Sequence, residues 1–200
     1  MAKELKLTDF RDFFRAAYRE RKPCISDEDN AASVYCDQVG WTIHRKRAWT
    51  AVLSGSHYDY IDFSIQAGNE DGTEESRRSI RSWMRNLSQF IHSFDFIHAQ
   101  PAPDWIEAKP QHLIESSLAN PGKDYIAYLA DGRELTNPAA GQIISGPIAF
   151  RLPEGKFVVH LYSPSSGEYS PGIQVHGGKQ IIVEMPSIEQ DIALRVTRSA

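Results

Sequence analysis

Cysteine is scarce in this 200-residue chain, which has only Cys24 and Cys36. Twelve positions apart and without a paired histidine motif, they do not have the spacing of a zinc site. A disulfide between them is unsupported, and Cys24, inside a short apolar run, reads as a small buried hydrophobe. Positive charge is short as well. Twenty-two Lys and Arg face 26 Asp and Glu, giving a net charge of -4 and a pI near 6.0. That balance supplies no basic field for nucleic acid, and the one basic run, Arg45-Lys46-Arg47, reads as a solvated helix face. Long apolar runs are missing too: none approaches the roughly 20 residues that cross a bilayer. The opening MAKELKLTDF has no apolar core of a signal peptide, so the sequence as written is expected in the cytoplasm. Upstream sequence in a longer parent could direct secretion or a periplasmic location.

Familiar chemical motifs are absent in the same way. LSGSH lacks the G-x-S-x-G elbow of a serine hydrolase. NEDG lacks the ligand spacing of a calcium loop, so no metal or cofactor is expected. What the chain does have is a globular composition, 41% hydrophobic and 24% charged, enough for one large domain or two modest ones.

The first hundred residues alternate between helical and extended patterns. Phe10, Phe13, Phe14, Ala17 and Tyr18 recur at helical spacing behind Thr8, a candidate N-cap, and predict a helix ending near Arg21. Pro23 stops it, and Cys24-Ile25-Ser26 reads as a short strand followed by three acids, Asp27, Glu28 and Asp29. A second helix is predicted from Thr42 to Leu53, closed by Gly55, before the strand-like SHYDYIDFSI. Thr73 then caps a third helix with Glu74 and Glu75 in its first turn and an apolar stripe of Ile80, Trp83, Met84, Leu87 and Ile91. Such alternation implies parallel strands joined by crossovers, part of an α/β layer or barrel.

The texture changes after residue 100. PAPDWIEAKP reads as a proline-bearing linker within residues 101–122, dividing a domain over 1–100 from one over 123–200. The later segment carries six short strand patterns, DYIAYLA, GPIAFRL, KFVVHLY, GIQVH, KQIIVEM and DIALRV, separated by glycine-bearing turns. This spacing predicts an antiparallel β-sandwich with inward sets Ile181, Val183, Met185 and Ile192, Leu194, Val196. The expected class is therefore α/β plus all-β.

The order KPCISDEDNAA, RKRAWTAVLSGSHYDYIDFS, IRSWMRNLSQFIHSFDFI, then YIAYLADG and VHLYSPSSGEYSPG, resembles the carboxyl-terminal end of bacterial glycoside hydrolases with a (β/α) barrel of eight strands, of the apiosidase-like DUF4038 type. In those proteins a β-sandwich labelled collagen-binding by similarity follows the barrel. The resemblance implies that Cys24 to Glu28 is barrel strand seven and His57 to Ile65 strand eight. It implies further that Glu28 matches the nucleophile of the retaining enzymes and that carbohydrate is the parent's substrate. The acid/base carboxylate of that clan sits at the end of strand four, which this sequence does not contain.

Glycoside cleavage needs two carboxyl groups roughly 5 to 9.5 Å apart, according to stereochemical outcome. Neighbours such as Asp27, Glu28 and Asp29 cannot divide these roles, because successive strand residues point to opposite faces. Without the resemblance, the same acids read as caps of the next helix or partners of Arg45 to Arg47. Asp59, Asp62 and Phe63 are substrate-binding candidates at the end of the second strand, although alternating aromatics there also suit core packing. His160, Tyr162 and Tyr169 are the aromatic candidates of the β segment, where SSGEYSP also reads as a hairpin with Gly167 at its special position. The isolated chain is expected to be inactive. An alternative is a non-catalytic carbohydrate- or protein-binding accessory module, and an open barrel edge would favour self-association.

Overall fold

The computed structural model describes residues 6–27, 38–60, 74–134 and 136–199, with the backbone alone for 38–40. The class is mixed α/β, with three α-helices and eleven strands among the described residues.

Helix α1 spans Leu7–Arg19. It starts at Lys6, so Thr8 lies inside the helix rather than at its cap, and Arg21, at φ 55°, is already beyond its end. Of the expected stripe only Phe10 and Phe14 are fully buried, edge to face at 4.8 Å, and Phe13 stays 62% exposed. Strand β1, Ile25–Ser26, and strand β2, His57–Tyr58, pair in parallel with Ile25 opposite His57. Between them runs α2, Gln38–Val52, and its C-terminus shows why Gly55 was readable as a stop. The Gly55 amide donates to the Val52 carbonyl and the Ser56 amide to that of Ala51, each at 3.1 Å, with Gly55 at φ 86°. This Schellman arrangement satisfies the last carbonyls of the helix. Helix α3, Glu74–His92, buries Ile80, Trp83, Leu87 and Phe90. Its expected cap, Thr73, lies outside the described residues.

Two antiparallel sheets follow. Strands β3 (Gln100–Pro101), β5 (Leu113–Asn120), β6 (Asp124–Asp131), β8 (Lys156–Tyr162), β9 (Ile173–His176) and β11 (Asp191–Arg198) form one sheet in the order β3-β5-β6-β11-β8-β9. Strands β4 (Ile106–Ala108), β7 (Ile144–Arg151) and β10 (Gln180–Ile188) form the other, in the order β10-β7-β4. The sheets share one core, in which the expected sets Ile181, Val183, Met185 and Ile192, Leu194, Val196 meet Ile148, Phe150, Phe157 and Val159.

The larger sheet is covered on its other face as well. Ile126, Tyr128 and Ala130 of β6, with Leu118, Tyr162 and Ala193, pack against Trp49 of α2, Leu53 just after it, and Leu87 and Phe90 of α3. Trp49 stacks on Tyr128 with ring centroids 5.2 Å apart. Period-two geometry sends alternate side chains of β6 to the two cores, which is why YIAYLA is an unbroken apolar run. Arg195 ties the same face to the end of α3, with its Nη2 donating to the Ser93 carbonyl at 3.0 Å and to Asp124 Oδ2 at 2.9 Å.

Two expectations need correction. Residues 101–122, read as a linker, contain β4 and β5. Strand β5 pairs with β6 from Leu113–Asp131 to Asn120–Asp124, and Trp105 is buried edge-on against Phe150 at 5.5 Å. The second correction concerns Arg45-Lys46-Arg47, read as a solvated helix face. These residues are 3%, 5% and 9% exposed. Helix α2 is enclosed by α1, α3 and the larger sheet, and its charges have partners on those elements.

Candidate functional site at the strand ends and the helix–sheet junction

The parallel pair sets the geometry of the first candidate site. The His57 amide donates to the Cys24 carbonyl at 2.9 Å and the Asp59 amide to the Ser26 carbonyl at 2.8 Å. Ser56 Oγ adds a bond to the Cys24 carbonyl at 2.6 Å. Asp27 and Asp59 therefore leave the carboxyl ends of neighbouring strands on one rim, with backbones about 4.8 Å apart. Asp27 is exposed and Asp59 half-buried. Glu28, the next residue in sequence after Asp27, lies outside the described residues, as do Asp29, Asp62, Phe63 and Cys36. Cys24 is partly buried against Phe10, Phe14 and Ala51, as its apolar setting suggested. Tyr60 stands edge-on to His44 at 4.8 Å. No group of three or more His, Cys, Asp and Glu side chains converges among the described residues.

The β-segment candidates separate. Tyr162 is buried in the helix-facing core, its hydroxyl donating to the Asn86 carbonyl at 3.1 Å, and burial pushes its pKa up to about 12. His160 Nδ1 lies 2.9 Å from the Ser170 carbonyl. Tyr169 remains 46% exposed while packing against Tyr162 at 4.6 Å and Phe90 at 6.2 Å. Gly167 has the positive φ, 79°, expected of it.

Sequence reading missed the polar junction between α2 and the larger sheet. Arg45 Nε donates to Asp191 Oδ2 at 2.7 Å, the guanidinium lies 4.3 Å from the ring centroid of Trp83, and the Tyr128 hydroxyl donates to the same Asp191 oxygen at 2.7 Å. Burial works against the Arg45 charge, but the attraction of Asp191 outweighs it and raises its pKa. Burial first, and then Asp191, raises that of Tyr128. One residue along α2, Lys46 Nζ donates to the Asp131 carbonyl at 3.0 Å, and burial lowers its pKa. Burial alone would raise the pKa of the Asp131 carboxyl. Hydrogen bonds from the Arg133 side chain at 2.8 Å and from the Arg133 and Gly141 amides at 3.0 Å outweigh that and hold it below the usual range. Arg47 sits over the Phe10 ring at 5.4 Å. The one sequence signal was an aspartate at the end of β6 and another at the start of β11, but nothing in the sequence pairs them with cations far upstream.

No protein-family model and no curated protein sequence matches the chain. Solved structures do. A glycoside hydrolase superposes with a TM-score of 0.64 at 16% identity over 94% of this chain and 46% of its own. A family 5 glycoside hydrolase from Bacteroides vulgatus gives 0.64 at 17% identity over 94% of this chain and 45% of its own. A family 30 endoxylanase from Clostridium papyrosolvens gives 0.53 at 11% over 98% and 47%. The chain has a glycoside-hydrolase-like fold. It spans slightly less than half the length of these glycoside hydrolases. The likeness extends over both the β1-α2-β2 unit and the two antiparallel sheets, since it takes in nearly the whole chain.

Proposed function

We propose that the chain is the carboxyl-terminal part of a retaining, apiosidase-like glycoside hydrolase, comprising the last elements of its (β/α) barrel and the appended β-sandwich. Glu28 is the nucleophile and attacks the anomeric carbon of a carbohydrate substrate. The observation that carries this reading is the parallel β1-α2-β2 unit, whose carboxyl-end rim bears Asp27 and Asp59 and leads directly into Glu28, within a fold shared with glycoside hydrolases. In barrel enzymes that rim carries the chemistry. Asp59, Asp62 and Phe63 line the sugar subsite beside it.

The mechanism requires a second carboxyl group to protonate the leaving oxygen and then activate water. Two parallel strands supply one side of that pair, so the isolated chain is inactive and the acid/base residue belongs to barrel strands proposed upstream. Purified protein assayed against a panel of aryl glycosides should show no turnover. Turnover that disappears in Glu28→Gln would overturn the claim of an incomplete site, because the second carboxylate would then have to come from this chain or another copy of it.

A further inference from the structure

The polar junction opens into a groove that the strand-end chemistry does not use. It has a volume of about 690 Å³, between α2, α3, the loop after β8 and the turn between β10 and β11. That lies within the roughly 300–1,000 Å³ common for small-molecule sites. Six hydroxyls line it, those of Thr42, Ser79, Ser163, Ser165, Ser166 and Ser187, and Arg45, Trp83 and Asp191 complete its inner wall. A neighbouring hollow of about 340 Å³ shares Ser163, Ser166 and Ser187 with it and adds the half-exposed ring of Tyr169.

We propose that this groove is a binding site for a neutral oligosaccharide, a remote subsite for chain beyond the bond being cleaved; the remote role rests on the glycosidase reading above. Charge argues for a neutral ligand. Arg45 is the only cation among the lining residues and is neutralised by Asp191 at 2.7 Å, while Glu189 leaves the wall acidic overall, which disfavours phosphate or carboxylate. Chemistry argues for a hydroxylated ligand, because an apolar one would strip water from the exposed serines, Ser165, Ser166 and Ser187, without replacing their hydrogen bonds.

The wall is also held rigid before any ligand arrives. Asn86 Nδ2 donates to the Pro164 carbonyl at 3.1 Å and to that of Ser165 at 3.2 Å, while the Ser163 amide donates to the Glu168 carbonyl at 2.9 Å. Gly167 presses so closely that a Cβ there would come within 2.7 Å of Asn86 Oδ1. Hydroxyls fixed in this way lose little freedom on binding.

Position links the groove to the reacting end of the molecule. The C-terminus of α2 joins β2 through only residues 53–56, so its amino-terminal turns, with Thr42 and Arg45, point toward the carboxyl ends of the parallel strands. The groove lies by these turns, on the side of the rim that bears Asp27 and Asp59.

Xylohexaose, cellohexaose and mannohexaose titrated separately into the 200-residue chain, followed by calorimetry, test the site. Saturable binding of at least one is expected, weakened tenfold or more in the double variant Ser165→Leu/Ser187→Leu and in Ser166→Leu, both checked for folding by circular dichroism. Ser165 and Ser187 are exposed, so their replacement leaves the core untouched. Absence of saturable binding for all three sugars, or binding unchanged in both variants, would overturn the proposal. Binding is read without turnover. Loss of hexaose binding therefore leaves the role of Glu28 standing, whereas hydrolysis independent of Glu28 would overturn that role and leave the groove in place.

Discussion

At the scale of single residues, one oxygen of Asp191 accepts from both Arg45 and Tyr128 inside the protein. A buried pair contributes little net stability against a well-packed apolar replacement, but breaking it leaves a charge stranded. Arg45→Met is therefore expected to destabilise the chain by about 3–5 kcal/mol, and adding Asp191→Asn should recover most of that loss. Urea denaturation of the single and double variants measures it; equal losses in both would show that the charge of Asp191 is not the cause. Asp131 makes the complementary statement about pH. Its carboxyl is held below the ordinary range, so the unfolded chain takes up the proton first as pH falls. Its contribution is complete above the ordinary aspartate value of about 3.9 and disappears as pH drops through the lower folded value. Asp131→Asn should flatten the acid limb of a stability-against-pH curve, while an unchanged limb would place the acid sensitivity elsewhere.

At the scale of elements, the larger sheet explains both what the sequence revealed and what it hid. Strands β6 to β11 were legible because alternation or short apolar runs between glycine-bearing turns identify them wherever they pack. Strand β5 was not. Its centre, Glu115-Ser116-Ser117, is polar yet buried, with the Ser117 hydroxyl bonded to the Ala102 carbonyl at 2.8 Å and Arg15 of α1 reaching Glu115 at 3.2 Å. Polar residues satisfied by partners distant in sequence look like loop until the partners are seen. The basic run of α2 misled for the same reason, since Arg and Lys are seldom fully buried unless paired. The helix layer and the sheet are consequently one packed unit. Residues 100–200 expressed alone would expose Ile126, Tyr128 and Leu118 and leave Asp191 without Arg45, so they are expected to aggregate or to melt without a cooperative transition. A soluble fragment with a sharp melt would contradict this and favour the separable binding module.

At the scale of the whole molecule, the described parallel strands number two, and the chain is about half as long as the glycoside hydrolases it superposes on. Ile25 of β1 is 52% exposed and Phe13 of α1 62%, so apolar surface lies open beside the parallel pair, where a barrel would continue. The order of helices and strands made the general fold legible, whereas the rim itself was legible only in part. Asp27 follows β1 as the sequence pattern placed it, whereas Asp59, expected inside a strand from His57 to Ile65, comes directly after the two-residue β2; the roles of Glu28, Asp59, Asp62 and Phe63 rest on the resemblance and on chemistry. Hydrolysis of aryl glycosides by this chain joined to the strand–helix units proposed upstream, assayed beside its Glu28→Gln variant, decides the role of Glu28. Turnover in the joined protein that falls to background in Glu28→Gln is the expected result. Turnover that survives the substitution at its original rate would contradict a nucleophilic Glu28.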